Sequence, residues 1–435
     1  MAGGPRAAGG ARTLHVLPSG LRLALHPAPH LSTATIALAV RVGSRYERAA
    51  DNGISHFLEH MLFRGTKAHP TSFAWNDAFE RLGGTLSAST TADHTLFDVT
   101  VAPADVPAAL ELMSEIFEPV LSHVDVEKRV AREEILEHLD EDGRNIDADD
   151  LVHLAAFGDH PLGQPILGTE ENLAAFDREG LAAWHRRHYV AAGSVLAVAG
   201  AFDAPRVLEA AARASERMPA GTLVLPAPFV RTPPGPEFRY VDSVGAQTDV
   251  RIAFSAPGEK DPRHAALGVL SRIVDDGMSA RVFRTVVEDR GLAYEAFGEL
   301  ATYEDPGLYV LGASTAPESA VAVTETLLEI VLALRDGPIG EDELAKARTR
   351  AHFGLRAARD DAGALAELAA MGMLFGTDTE LDALAADLDR VTVADVRAVA
   401  REVFREETLH VVAVGSLSEA EEDGLDRVVR RVRTG

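Results

Sequence analysis

The sequence predicts an α+β fold built twice within one chain, and three observations carry that reading. The chain has 435 residues, enough for two separate cores. Strand-like and helix-like stretches follow one order, and the order restarts beyond a proline-rich stretch at 218–236. Residues 409–414 with Gly415 echo residues 195–199 with Gly200, which suggests two halves of one architecture. The halves expected are 13–217 and 239–435, joined by a linker at 218–238.

Taken in order, residues 14–17 and 21–26 read as strands parted by the turn residues Pro18-Ser19-Gly20. Residues 33–42 alternate as a strand does and lead to Gly43. A helix is expected at Ile54–Leu62, with Asp51 and Asn52 able to cap its start and Gly65 able to end it. Helical patterns follow at 72–82, 106–117 and 125–139, and a strand at 95–101. Gly83-Gly84 breaks the chain before residues 85–90. A loop at 160–163 and a strand at 194–198 close the first half. In the second half, 249–254 reads as a strand and 264–274 as an apolar helix.

Composition excludes several classes. The 46% apolar and 25% charged residues are ordinary for a globular protein. A net charge of −25 argues against nucleic acid and against anionic membrane surfaces. It suits cationic substrates or simply solubility. With no cysteine there is no disulfide framework, thiol nucleophile or thiolate-bound metal. Residues 1–12 are a Gly/Ala/Arg tail too weakly apolar for a secretory signal, and no run of eighteen apolar residues occurs. A cytoplasmic protein is expected.

The helix at 54–62 is the chemical centre of the sequence. His56, Glu59 and His60 share one helical stripe, while Ile54, Phe57, Leu58, Met61 and Leu62 form the opposite, apolar one. An ordinary amphipathic helix would account for that. Its wet side, however, holds no Lys or Arg before Arg64 and Lys67. Two imidazoles four apart can share a Zn²⁺ ion, with the glutamate as general base on its water. His-x-x-Glu-His is the inverted zinc-peptidase order.

Together with other motifs, the chain resembles the pitrilysin/insulinase-like zinc peptidases, the inverzincins. It is most similar to their small processing-peptidase branch, to which the mitochondrial processing peptidase β subunit belongs. The resemblance is carried by residues 53–66, Gly83-Gly84, Gly158-Asp159-His160-Pro161-Leu162-Gly163, residues 166–171 and Gly291-Leu292-Ala293-Tyr294, and it covers 14–415. It implies one zinc ion per chain, held by His56, His60 and Glu134, with Glu59 as general base and Tyr294 acting from the second half. It places Glu127 as an outer acid behind the ligands. Glu137 is the alternative third ligand. The resemblance further implies two mostly antiparallel sheets layered with helices, forming half of a clamshell chamber. Ser87, Ala88 and Ser89 would hold an unstructured peptide or presequence as an added strand. A homodimer, or a heterodimer with a paralogous chain, is expected.

Two positions depart from the family pattern. Ser87 stands where the family usually has Asn. Val287 stands seven residues before Tyr294, where active relatives carry an Arg. Valine cannot donate a hydrogen bond to a developing oxyanion. One alternative is therefore a catalytic subunit that needs a paralogous partner. Others are a non-catalytic subunit of the same fold, or an enzyme with one dedicated peptide substrate.

Overall fold

The computed structural model describes residues 11–230, 236–377 and 380–432. Most of the 1–12 tail and part of the 218–238 segment lie outside them. Two compact units emerge. The first comprises Met1–Ile135, Pro165–Ala227 and Arg356–Asp378, and the second Leu136–Gln164, Pro228–Leu355 and Thr379–Gly435.

The first unit holds β1 (Thr13–Val16), β2 (Arg22–Pro27), β3 (Ala34–Val40), β4 (Ser87–Thr90), β5 (Thr95–Val101) and β6 (Ser194–Gly200). They form one sheet in the order β1-β2-β6-β3-β5-β4. All its pairings are antiparallel except β2 with β6. Leu38 stands opposite both Phe97 and Leu196, so these large side chains share a face. The helices Val106–Met113 and Ala204–Ala214 cover that face. The other face is different in kind, because Ala24, Ala37, Ala39, Ala197 and Ala199 line it. Small side chains let the helix Ala362–Phe375, itself rich in Ala and Gly, pack close on β3 and β6. Arg22 donates to the Met373 carbonyl at 2.5 Å, and the Arg41 guanidinium lies 5.5 Å from the Phe375 ring centroid. Both cations sit at the helix C-terminus, where its dipole favours positive charge.

The second unit holds β7 (Glu237–Asp242), β8 (Thr248–Pro257), β9 (Glu295–Thr302), β10 (Pro306–Thr315) and β11 (His410–Gly415). Their order is β7-β11-β8-β10-β9, again antiparallel but for one parallel pair, β7 with β11. Val250, Ile252, Phe254, Leu311 and Val411 meet the helices His264–Val274, Ala320–Asp336 and Val393–Val403 in one core. The helix Ala148–Phe157 packs on β8 and β11, and its Asp149 pairs with Arg251 at 2.7 Å.

The units therefore do not follow chain order as the 13–217 and 239–435 boundaries do. Each sheet is buried on both faces and needs a second helical layer. In the first unit that layer is residues 362–375, and in the second it is residues 148–157. The expected linker also ends earlier, since Glu237 already begins β7. Among the described residues no helix is long and apolar enough to cross a membrane.

Candidate metal centre

The helix Ile54–Leu62 forms as its apolar stripe requires, with Ile54, Phe57, Leu58, Met61 and Leu62 all buried. Its start differs from expectation. Neither Asp51 nor Asn52 caps it. Asp51 pairs with Arg48 in a 3₁₀ turn, and the Asn52 amide donates to the Pro165 carbonyl at 2.9 Å. The orphan amides of the first turn go instead to Glu47, seven positions before Ile54. Glu47 Oε2 accepts from the Gly53 amide at 2.7 Å and from the Asn52 side chain at 3.1 Å, and Oε1 accepts from the Ser55 amide at 2.8 Å. Only 3% of Glu47 is exposed. Burial pushes its carboxyl up, although these hydrogen bonds pull it down. The 3₁₀ turns between Glu47 and the helix hide this role from any local pattern.

Gly53 caps the helix with φ at 94° and packs backbone to backbone on Gly168. A Cβ on Gly53 would lie 2.7 Å from the Leu167 carbonyl oxygen, and one on Gly168 would lie 2.5 Å from that of Asn52. The 166–171 motif thus anchors the start of the helix.

Glu134 enters from the helix Val124–Glu137. Its Oε2 lies 3.6 Å from His56 Nε2 and 3.5 Å from His60 Nε2, and the three donor atoms lie within 4.8 Å of one another. Tetrahedral bonds of about 2.0–2.2 Å put neighbouring donors roughly 3.4 Å apart, so the set fits a zinc ion. Glu133 and Glu137 are exposed and outside this cluster. Glu127 is buried behind His60. Its Oε1 accepts from His60 Nδ1 at 3.0 Å, and its Oε2 accepts from Arg64. That bond fixes the ring with Nε2 toward Glu134, the usual support of a metal-bound imidazole.

Electrostatics favour the same role. Burial, helped by the charge of His60, lowers His56 to about 4 and keeps its ring neutral. Burial also disfavours charge on His60, but the Glu127 hydrogen bond and the charges of Glu134, Glu127 and Glu59 outweigh it and raise His60. Glu127 is likewise disfavoured by burial, yet its bonds to His60 and Arg64 hold it below the usual carboxylate range. Burial raises the Glu59 carboxyl, against the Thr90 hydrogen bond and the His60 charge. Thr90 Oγ1 donates to Glu59 Oε2 at 2.6 Å.

Thr90 ends β4, which among the described residues pairs with β5 alone and so leaves one edge open. Ser87, Ala88 and Ser89 form the rest of that strand, with Ser87 and Ser89 exposed. In the second unit, Tyr294 is 91% exposed just before β9. Val287 lies in the π-helical turn Arg284–Asp289 and packs on the second core. Arg290 is committed to Thr326 and Glu329, while Arg284 comes no closer than 3.9 Å to Asp289. A second group, His138, Asp147 and Asp150, spends His138 Nδ1 on a hydrogen bond with Asp150 at 3.3 Å, and Asp147 caps the helix Ala148–Phe157.

Residues 22–170 match the family model described as Insulinase (Peptidase family M16), and residues 175–351 match the Peptidase M16 inactive domain. A Streptomyces coelicolor protein named as an uncharacterized zinc protease is 30% identical over 91% of this chain and 88% of its own length. A Mycobacterium tuberculosis protein named the same way is 32% identical, covering 89% of this chain and 90% of its own. A protease structure from Helicobacter pylori shares the fold, with a TM-score of 0.86 at 22% identity over 94% of this chain and all of that one. Two domain models met in order, and relatives aligned across both sheets, make this chain a member of peptidase family M16, the insulinase family.

Proposed function

We propose that the chain is a zinc endopeptidase acting on unstructured peptides held along β4. The observation that carries this reading is the convergence of His56 Nε2, His60 Nε2 and Glu134 Oε2 beside a glutamate tied to an open strand edge. Zinc, when bound, polarises a scissile carbonyl and lowers the pKa of water to about 7. The protein's own part is positional. His56 is kept neutral by burial, and Glu127 holds the His60 proton on Nδ1. Thr90 holds the Glu59 carboxylate in place, and that carboxylate takes a proton from the attacking water and passes it to the departing amine. The free ladder groups of β4 align the peptide main chain without strict sequence demands.

Hydrolysis of a quenched peptide library by the purified chain tests this, with bound zinc quantified in parallel and Glu59→Gln as control. Chelator-sensitive cleavage that Glu59→Gln lowers by about 10²–10⁴-fold supports the reading. A chain without zinc overturns it. Val287 favours a second reading, in which a paralogous chain supplies the missing donor. Stoichiometric zinc without cleavage would select that one.

A further inference from the structure

The edge strand has two faces, and only one of them belongs to the metal centre. Ser87 stands opposite Asp98 and Ser89 opposite Leu96, while Ala88 and Thr90 stand opposite Phe97 and Thr95. Paired residues share a face, so Thr90, which holds Glu59, marks one face, and Ser87 with Asp98 marks the other. On that other face Gly83, Gly84, Thr85, Ser87, Asp98 and Thr100 help line a recess of about 540 Å³. Among the described residues, Asp98 is the only charged one lining it. Burial pushes its carboxyl up, and among the described residues no side chain or amide hydrogen-bonds or ion-pairs with it. Its charge is therefore partly desolvated and uncompensated.

A peptide added to β4 turns alternate side chains to this face. From the residue beside Ser87, Asp98 lies two strand spacings away, about 10 Å between backbones. The long stem of a Lys or Arg crosses that gap and a short side chain does not. Ser87 lies on the path, and its small hydroxymethyl leaves open what the Asn expected there would obstruct.

We propose that this recess is a subsite for one lysine or arginine of the bound peptide, with Asp98 as the partner of that cation. The subsite rests on the reading of β4 as the peptide-holding edge, but it sits apart from the reacting atoms. It gives an enzyme with loose main-chain recognition a preference at one position, set by a charge-assisted hydrogen bond in a half-buried place. A neutral side chain there gains nothing, and an acidic one meets like charge.

Binding separates this proposal from catalysis. The probes are labelled unstructured peptides with Lys or Gln placed at each position in turn. They are titrated by fluorescence anisotropy onto the full zinc-loaded Glu59→Gln chain. One position should favour Lys over Gln by about tenfold, a charge-assisted contact's worth. Asp98→Asn, which keeps the side-chain shape, should bring that ratio to near one. Asp98→Lys should turn the preference toward Glu, and Ser87→Asn should reduce the Lys preference. A wild-type chain that binds peptides with no Lys preference, or an Asp98→Asn chain that keeps one, overturns the subsite and leaves the peptidase reading standing. Asp98-dependent Lys binding by a chain that cleaves nothing keeps the subsite and overturns the activity. A chain that binds no peptide overturns both.

Discussion

The helices Ile54–Leu62 and His264–Val274 occupy the same point in their two halves. Each follows the strand that pairs with the parallel-paired closing strand, β3 beside β6 and β8 beside β11. Each buries a full apolar stripe, Ile54, Phe57, Leu58, Met61 and Leu62 in one, Leu267, Leu270, Ile273 and Val274 in the other. The opposite stripes part ways. The first carries His56, Glu59 and His60, and the second carries Gly268, Ser271 and Arg272, whose guanidinium pairs with Asp276 at 2.7 Å. Packing fixes the core stripe of both copies, whereas the outward stripe is unconstrained by the fold and can be filled with ligands or emptied. The anchoring differs as well. Glu47 and the Gly53–Gly168 contact clamp the first helix, while Arg263 begins the second without a side-chain cap.

The largest effect expected concerns the ligands that only the first half has. Glu127→Gln should weaken zinc binding by about 10–100-fold, as loss of a supporting acid does. Glu134→Gln should weaken it by more, measured in both cases by competition with a chromogenic chelator. Retention of zinc at wild-type affinity by Glu134→Gln would reopen the case for Glu137 or another donor.

Acid should strike the first unit through its buried histidines. Burial, with the nearby Arg187 at His188 and Arg186 at His185, brings His94, His185 and His188 down to about 4. In the unfolded chain each would titrate near the ordinary 6.5. The unfolded state therefore binds more protons between pH 6.5 and 4, and stability is full above that window and falls through it. At about 1.4 kcal/mol per pKa unit, the loss over three groups is on the order of 10 kcal/mol. Both tryptophans, Trp75 and Trp184, lie in the first unit, and Trp184 packs 4.2 Å from His188 between ring centroids. Tryptophan emission should report an acid transition in this window. Emission that stays flat down to pH 4 would mean that these rings are charged or wet in the fold.

What could be read in the sequence divides along physical lines. The ligand-bearing stripe, the strand at Thr95–Val101 and the helix at His264–Val274 show in the pattern because a local period writes them. The third ligand needed the resemblance, since no local spacing ties Glu134 to His60. Glu47 was hidden because a carboxylate that caps from seven residues away, across 3₁₀ turns, leaves no capping-box signature. The helices 148–157 and 362–375 that cover the far faces of the sheets were equally hidden. The trace of 362–375 is a match of small residues, Ala37, Ala39 and Ala197 against an Ala/Gly-rich helix, and such a match has no sequence period. The open recess at Asp98 depends on cross-strand register, which a one-residue slip would reverse.

Two glycine substitutions sharpen the comparison at its smallest scale, and they should have opposite signs. Gly53→Ala puts a Cβ at a φ of 94°, against Leu167 and Gly168 backbone atoms that cannot give way. Strain at positive φ plus that collision should cost about 2–4 kcal/mol and loosen the start of the metal helix. Zinc affinity should then fall with it, because His56 lies in the first turn. Gly268 sits inside the second helix with nothing within 4 Å of its would-be Cβ. Gly268→Ala meets no neighbour and removes backbone freedom from the unfolded chain, so it should stabilise by about 0.5–1 kcal/mol. Thermal unfolding of both variants, with and without zinc, is the measurement. A Gly268→Ala chain less stable than wild type would show that the outward stripe of the second helix is occupied, and that its emptiness of ligands conceals a contact of another kind.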